Sequence, residues 1–256
     1  MRLVRYQIED ESPKYGWIHE GKIGEIEGNI FGEFRRKEAE IPLEDARLLA
    51  PARPSKIICV GRNYVEHARE HNVEVPKVPL IFFKPPSAIL DPGGTILLPP
   101  QSKQVEHEAE LVAVIGNRGR RITAEDAKEY ILGYTIGNDV TARDIQRADR
   151  LWTRGKGFDT FAPFGPWIDT GFDPSDAVIT CRVNGQMRQM ASTRDMVFDI
   201  GTLVAFISSV MTLEPGDLIF TGTPAGVSPL AEGDVVEVEI EGLGSLSNSV
   251  RAERSL

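Results

Sequence analysis

Cysteine is nearly missing from this chain: Cys59 and Cys181 are the only two in 256 residues, too few for a disulfide framework. No apolar run approaches the roughly 20 residues needed to cross a bilayer. The opening Met1-Arg2-Leu3-Val4-Arg5-Tyr6 lacks the apolar central stretch of a secretory signal. These absences predict a reduced, cytoplasmic protein with no membrane insertion. Base is also in deficit, with 29 Lys and Arg against 38 Asp and Glu and a formal charge of −9. Electrostatic capture of nucleic acid needs the opposite balance, so any attraction for an anionic small molecule must be local. There is no G-x-G-x-x-G or P-loop pattern to cradle a nucleotide, and no Cys or His cluster with zinc-like spacing is read here. Hydrophobic residues at 41% and charged residues at 26% fit an ordinary globular chain able to bury one sizeable core.

What is present is acid where a buried strand is expected. Glu106-His107-Glu108-Ala109-Glu110 runs directly into Leu111-Val112-Ala113-Val114-Ile115-Gly116, an apolar run typical of a strand covered on both sides. Side chains alternate along a strand, so Glu108 and Glu110 share one face with Val112 and Val114, about 7 Å apart at the backbone. Two neighbouring buried anions stay ionised only beside a strong positive partner, and a divalent cation held by carboxylate oxygens supplies one. Asp139, beside Gly137 and Asn138 in the strand expected from Tyr134 to Val140, is the best third ligand. Three hard carboxylates suit Mg²⁺ or Mn²⁺ better than Zn²⁺. The alternative is that these acids pair with Lys or Arg or lie at an exposed strand end, a reading that fits Glu106 well.

The rest of the chain reads as many strands and few, short helices, so the expected class is α+β, mostly β. Leu3–Tyr6, Tyr15–Ile18 and Lys22–Ile26 suggest a small β-rich module over residues 1–52. Pro51-Ala52-Arg53-Pro54 marks the joint to a larger domain over residues 53–256. Strands are expected at Lys56–Gly61, Leu80–Lys84, Val178–Val183, Asp217–Thr221 and Asp234–Ile240, with a hairpin at Asn184-Gly185. Helices are expected near Asn63–Asn72, from an N-cap at Thr123 through Tyr130, from Thr141 to Trp152, and from Ile200 to Met211.

Further chemistry clusters along this frame. His67 and Glu70 lie one helical turn apart, close enough for the carboxylate to fix the imidazole tautomer and raise its basicity. Read singly, they form a solvated helix face with Glu66, Arg69 and His71. Arg143 could clamp a carboxylate in bidentate fashion with Gln146 as a neutral neighbour. Lys156 lies among glycines, and Lys84 ends an aromatic strand as a second cation. Thr221-Gly222-Thr223-Pro224 offers hydroxyls and backbone donors.

In order along the chain, Gly61-Arg62-Asn63-Tyr64 with His67 and Glu70, Phe83-Lys84-Pro85-Pro86-Ser87, His107-Glu108-Ala109-Glu110-Leu111, Gly137-Asn138-Asp139 through Asp144, Lys156-Gly157-Phe158 and Thr221-Gly222-Thr223-Pro224 closely resemble the fumarylacetoacetate hydrolase superfamily. The resemblance covers roughly residues 55 to 250, and the first 50 or so resemble the small N-terminal module of one bacterial and archaeal branch. It implies a mixed β-roll catalytic domain, a homodimer, and Mg²⁺ or Mn²⁺ bound by Glu108, Glu110 and Asp139. It also implies a 2-oxo or 1,3-dicarbonyl acid substrate held or polarised by Arg143, Gln146, Lys84, Lys156 and Thr223, with His67 and Glu70 as a catalytic lid dyad. Because both dyad residues are present, acylpyruvate-type C–C hydrolysis is expected first. Isomerisation of a hydroxymuconate-type diacid and decarboxylation of oxaloacetate share the same enolate, and a non-catalytic metal- or carboxylate-binding protein is the alternative outside enzymology.

Overall fold

The apolar run after Glu108 forms the strand Ala109–Ile115, every residue of which is buried. In the computed structural model, which describes residues 1–254, this strand lies inside a twelve-stranded sheet. It pairs antiparallel with Ile131–Asn138 on one side and Leu218–Phe220 on the other. Beyond Leu218–Phe220 come Ile57–Gly61, in parallel, and Leu80–Lys84 at the sheet edge. In the other direction follow Ala162–Asp169, Arg2–Gln7, Lys14–His19, Lys22–Gly28 and Phe34–Pro42. The N-terminal strands therefore extend the same sheet, through the pairing of Arg2 and Leu3 with Asp169 and Ile168.

A second, five-stranded sheet runs in the order Gln186–Ser192, Val178–Val183, Val235–Ile240, Gly244–Ala252, Thr95–Leu98. Its hairpin turns at Asn184 (φ 52°) and Gly185 (φ 75°), the two left-handed positions that an Asn-Gly turn supplies at little cost. Strict alternation along Ala109–Ile115 divides the core. Leu111, Ala113 and Ile115 pack toward Ile179, Cys181, Val236 and Val238 of the second sheet, while Val112 and Val114 face Ile57, Phe164 and Phe220. Each fully buried side chain of this size contributes roughly 1.5–3 kcal/mol.

Helices are short, as expected: α1 is Val65–Glu70, α2 Ala127–Tyr130, α3 Arg143–Asp149, α4 Thr153–Lys156 and α5 Ile200–Val210. Only α5 exceeds two turns; Asp199 caps it by accepting from the Thr202 N–H at 2.7 Å, and Ile200, Leu203, Val204 and Ile207 form its buried stripe.

Three expectations are corrected. Thr123 closes a turn rather than capping a helix: its hydroxyl donates to Asp126 at 2.8 Å and accepts from the Asp126 N–H, and α2 begins only at Ala127. The helix expected from Thr141 starts at Arg143 because Thr141–Ala142 pairs as strand with Val105–Glu106, and it breaks at Arg150, whose φ is +60°. The strand carrying Asp139 ends at Asn138, so Asp139 sits just past the ladder. There its N–H donates to the Glu108 carbonyl at 2.8 Å. Just before the strand Leu218–Phe220, fully buried Asp217 accepts from the N–H groups of Ser55, Lys56 and Glu214, fixing the chain where residues 53–56 enter the large sheet.

Candidate functional site

Glu108, Glu110 and Asp139 converge because the antiparallel register sets Ala109 opposite Asn138 and Glu110 opposite Gly137. Gly137 is required there: a Cβ would lie 2.5 Å from the Phe220 ring. One oxygen from each carboxylate lies within 4.8 Å of the others, and all three residues are buried. Asn138 assists by accepting the Glu108 N–H at 2.9 Å.

Two lysines and an arginine surround the acids. Lys156 donates to Glu108 at 2.8 Å and to Asp139 at 2.7 Å. Lys84 donates to the other Asp139 oxygen and, at 2.9 Å, to the Val140 carbonyl. Arg143 bridges three groups, donating to Glu106 at 2.7 Å, to Gln146 at 2.7 Å and to Glu108. Among the described residues Glu110 has no basic partner; it accepts only the Gly222 N–H, at 2.7 Å. Gly222 adopts φ +98°, and a Cβ on it would meet Asn63 at 2.7 Å. Donors of the Thr221–Pro224 segment that sequence offered to an outside anion are thus partly used by the chain's own acid.

Four buried acids, Glu106, Glu108, Glu110 and Asp139, face three buried bases, Lys84, Arg143 and Lys156, and the imbalance falls on Glu110. Burial, reinforced by Asp139 and Glu108, pushes the Glu110 carboxyl well above its ordinary range. Burial acts the same way on Glu108, but Lys156 and Arg143 outweigh it and hold that carboxyl far below. Burial also opposes charge on Lys156, yet Asp139 and Glu108 keep its ammonium above the usual lysine range. A carboxylate cluster with one member lacking a counter-charge fits a hard divalent cation bound by oxygen.

The cage opens into a cavity of about 510 Å³ whose lining includes His67, Glu70, Glu108, Arg143, Gln146, Lys156 and Thr223. Seven of the ten site residues expected from sequence therefore share one wall system, while Glu110 and Asp139 do not line it and connect to it through Glu108, with one oxygen of each within 4.8 Å of a Glu108 oxygen. Lys84 differs from expectation. It is 1% exposed and turned onto Asp139 and Val140, so it positions Asp139 instead of reaching a ligand in this cavity.

Above the cage, His67 Nδ1 lies 3.3 Å from Glu70 Oε2, and His67 is buried, contrary to the solvated face read from the helix alone. Glu70 is anchored in turn by the Gly226 N–H at 3.1 Å. Burial of Glu70 favours the neutral acid, but hydrogen bonds from His67 and Gly226 prevail and lower its pKa.

Several contributors escaped the sequence reading. Glu106 is buried, not at an exposed end, and it pairs with Arg143 as its alternative reading foresaw. His107 contacts Gln189 and Ser228, both at 2.9 Å, while Gln189 donates to Thr223 Oγ1 at 2.8 Å. Thr223 itself donates to the Ala109 carbonyl at 2.9 Å. Arg62, Arg147 and Arg150 line the cavity, and the Trp152 ring packs so closely on Gly61 that a Cβ there would lie 2.6 Å away. Chain order alone gives no signal that residues around 150 return over residues 61 and 62.

The family model described as Fumarylacetoacetate (FAA) hydrolase C-terminal matches residues 56–251, and the model Rv2993c-like, N-terminal matches residues 1–51. The mitochondrial oxaloacetate tautomerase Fahd2a of Rattus norvegicus is 47% identical over 222 residues, covering 82% of this chain and 71% of that protein. Among solved structures, 2-hydroxyhepta-2,4-diene-1,7-dioate isomerase from Mycobacterium marinum superposes with a TM-score of 0.91 at 45% identity, covering 100% of both chains. Maleylpyruvate hydrolase from Sphingobium sp. SYK-6, solved with manganese(II) and pyruvate, gives 0.82 at 31% identity, covering 99% of this chain and 100% of that one.

Proposed function

The chain belongs to the fumarylacetoacetate hydrolase family, and from that premise we propose that it is a divalent-metal-dependent enzyme that hydrolyses a C–C bond in acylpyruvate-type 2-oxo acids. The observation that carries the reading is the His67–Glu70 pair, at 3.3 Å, facing the same cavity as Glu108.

Glu108, Glu110 and Asp139 would hold Mg²⁺ or Mn²⁺, which supplies Lewis acidity at the 2-oxo group. The manganese and pyruvate in the Sphingobium neighbour support both the metal class and the product class. Arg143, already fixed by Glu106 and Gln146, presents its guanidinium to the substrate carboxylate, and Gln146 adds a neutral hydrogen bond. Lys156 places positive charge where negative charge develops on the substrate oxygen. Arg62, Arg147 and Arg150 at the cavity wall raise the local concentration of an anion despite the net charge of the whole chain.

His67, oriented by Glu70, takes a proton from water. The resulting hydroxide adds to the distal carbonyl, the C–C bond breaks, and its electron pair goes to the pyruvate fragment as an enolate. Protonation of that carbon yields pyruvate, and the acyl fragment leaves as a carboxylic acid.

A second reading is favoured by the activities for which the tautomerase at 47% and the isomerase at 45% identity are named. Here His67 moves a proton at the carbon beside the 2-oxo group and no water adds. One assay separates the two. With saturating Mg²⁺ or Mn²⁺, hydrolysis of acetylpyruvate or fumarylpyruvate releases one pyruvate per substrate consumed, read by coupling to lactate dehydrogenase, and His67→Ala abolishes it. Enol absorbance changes in oxaloacetate or a dienol diacid without pyruvate release would replace hydrolysis by the second reading. Carbon dioxide measured alongside separates decarboxylation from both.

A further inference from the structure

Three of the four histidines in the chain are His67, His71 and His107, and two of them flank Glu70. His67 and His71 are four positions apart and meet on one side of α1 and its cap, with ring centroids 4.6 Å apart. One ligand atom from each of His67, Glu70 and His71 lies within 4.8 Å of the others. In sequence this group passed as a solvated helix face, yet all three side chains line the cavity. Among the described residues His71 Nε2 is buried without a hydrogen-bond partner, although a buried polar atom ordinarily has one.

We propose that His67, Glu70 and His71 form a second metal site, selective for a borderline divalent ion such as Zn²⁺, and that its occupation inhibits the enzyme. Two imidazoles and one carboxylate form a donor set suited to zinc, whereas Mg²⁺ prefers an all-oxygen cage. Ligand atoms on a tetrahedral ion with bonds of about 2.0–2.2 Å lie roughly 3.4 Å apart, close to the 3.3 Å between His67 Nδ1 and Glu70 Oε2. Rotation of the His71 ring completes the triangle and satisfies its unpartnered nitrogen. Glu70 is pre-positioned by the Gly226 N–H, so little side-chain freedom is lost on binding. The two clusters thus sort ions by hardness: carboxylates below for Mg²⁺ or Mn²⁺, imidazoles above for zinc. With Glu70 holding His67 Nδ1, the proton-accepting nitrogen of the dyad is Nε2; zinc on Nδ1 forces the ring proton onto Nε2, so that nitrogen can no longer accept a proton, which is how occupation stops turnover.

The binding claim stands on the lid geometry alone, while the inhibition claim rests on the assignment of His67 and Glu70 as the dyad. Calorimetric titration of the Mg²⁺-saturated protein with Zn²⁺ tests the first. Wild type and Glu110→Gln, whose lower cage is damaged, should each take up one zinc ion per chain at the lid. His71→Ala and His71→Gln should both bind at least about 100-fold more weakly, and Co²⁺ should give the intense visible bands of tetrahedral coordination only when His71 is present. Zinc binding that is unchanged in both His71 variants, or that disappears when Mg²⁺ saturates the lower cage, overturns the site. The second claim is tested on whichever 2-oxo acid is turned over. Zinc should inhibit wild type and lose that effect at least tenfold in the His71 variants; lid-bound zinc without inhibition overturns the regulatory role. Absence of turnover in zinc-free protein is a separate result, directed at the proposed reaction.

Discussion

The Lys156 ammonium lies 2.8 Å from Glu108 Oε2 and, on its other side, 2.7 Å from Asp139. This contact holds two carboxylates of the cage together with a positive charge that is itself fully buried. Lys156→Met removes the charge at similar volume and leaves Glu108 to Arg143 and Asp139 to Lys84, four buried acids now facing two bases, so the metal-free protein should lose about 3–5 kcal/mol of stability. Mn²⁺ should then stabilise the variant by an amount that rises with the logarithm of its concentration above the dissociation constant. Thermal denaturation with and without Mn²⁺ checks this; a variant as stable as wild type in chelator would show that Lys156 carries no such load.

Glu106 positions Arg143 and does not line the cavity. Glu106→Gln keeps the shape but weakens a charge-assisted hydrogen bond. Turnover efficiency should fall about tenfold to 100-fold, or about 1.4–2.7 kcal/mol of transition-state stabilisation, with the loss mainly in KM, because in the role proposed for Arg143 the arginine would bind ground state and transition state alike. Steady-state kinetics on the preferred 2-oxo acid gives the split, and an unchanged KM would contradict the role.

Asp144 opens α3 and fastens it to the loop that leads into Glu106, accepting from Ser102 Oγ at 2.6 Å and the Lys103 N–H at 2.8 Å. Its partial burial favours the neutral acid, but these donors outweigh it and lower its pKa. Stabilisation by a depressed carboxyl is complete above its unfolded pKa and is lost as pH falls through the lower, folded value. Asp144→Asn should therefore cost about 1 kcal/mol near neutrality and nothing in acid below the folded pKa. Denaturant melts of both proteins across the acidic range measure the convergence.

How far the site could be read from sequence depended on whether its residues are neighbours on one strand. Glu108 and Glu110 declared themselves because two acids with period-two spacing interrupt a run that is buried throughout. Asp139 was legible as an acid in apolar surroundings, though its position past the strand end was not. Glu106 was ambiguous, since sequence gives the acid but not the Arg143 that meets it 37 residues later. His107 and Gln189 are 82 residues apart, and nothing local in either segment marks their contact.

The fold shows the same division. Strands with continuous or alternating apolar residues, such as Ile57–Gly61 and Val178–Val183, were legible, as was the Asn184-Gly185 turn. Ala162–Asp169 was not, because Pro163 and Pro166 donate no N–H and normally argue against a central strand. The sheet accommodates them by an irregular register with Ile131–Asn138, stepping from Tyr134 opposite Asp169 to Ile136 opposite Gly165.

Cys59 and Cys181 are both buried. Burial pushes the Cys59 thiol well above its ordinary range and Cys181 up to about 12, and thiols react as thiolates. Native protein should thus resist a chromogenic disulfide reagent at neutral pH, while denatured protein should titrate two thiols. Rapid labelling of the native form would mean that one of these strands opens readily.

The central claim is that Glu108, Glu110 and Asp139 bind one divalent ion, with Glu110 as the acid that depends on it for counter-charge. Calorimetric titration of chelator-treated wild type and Glu110→Gln with Mn²⁺, zinc being absent, measures this directly. Wild type should bind one tight ion per chain, and the variant should bind it at least about 100-fold more weakly while keeping its fold. Equal Mn²⁺ affinity in the two proteins, or no uptake by wild type, would contradict the account.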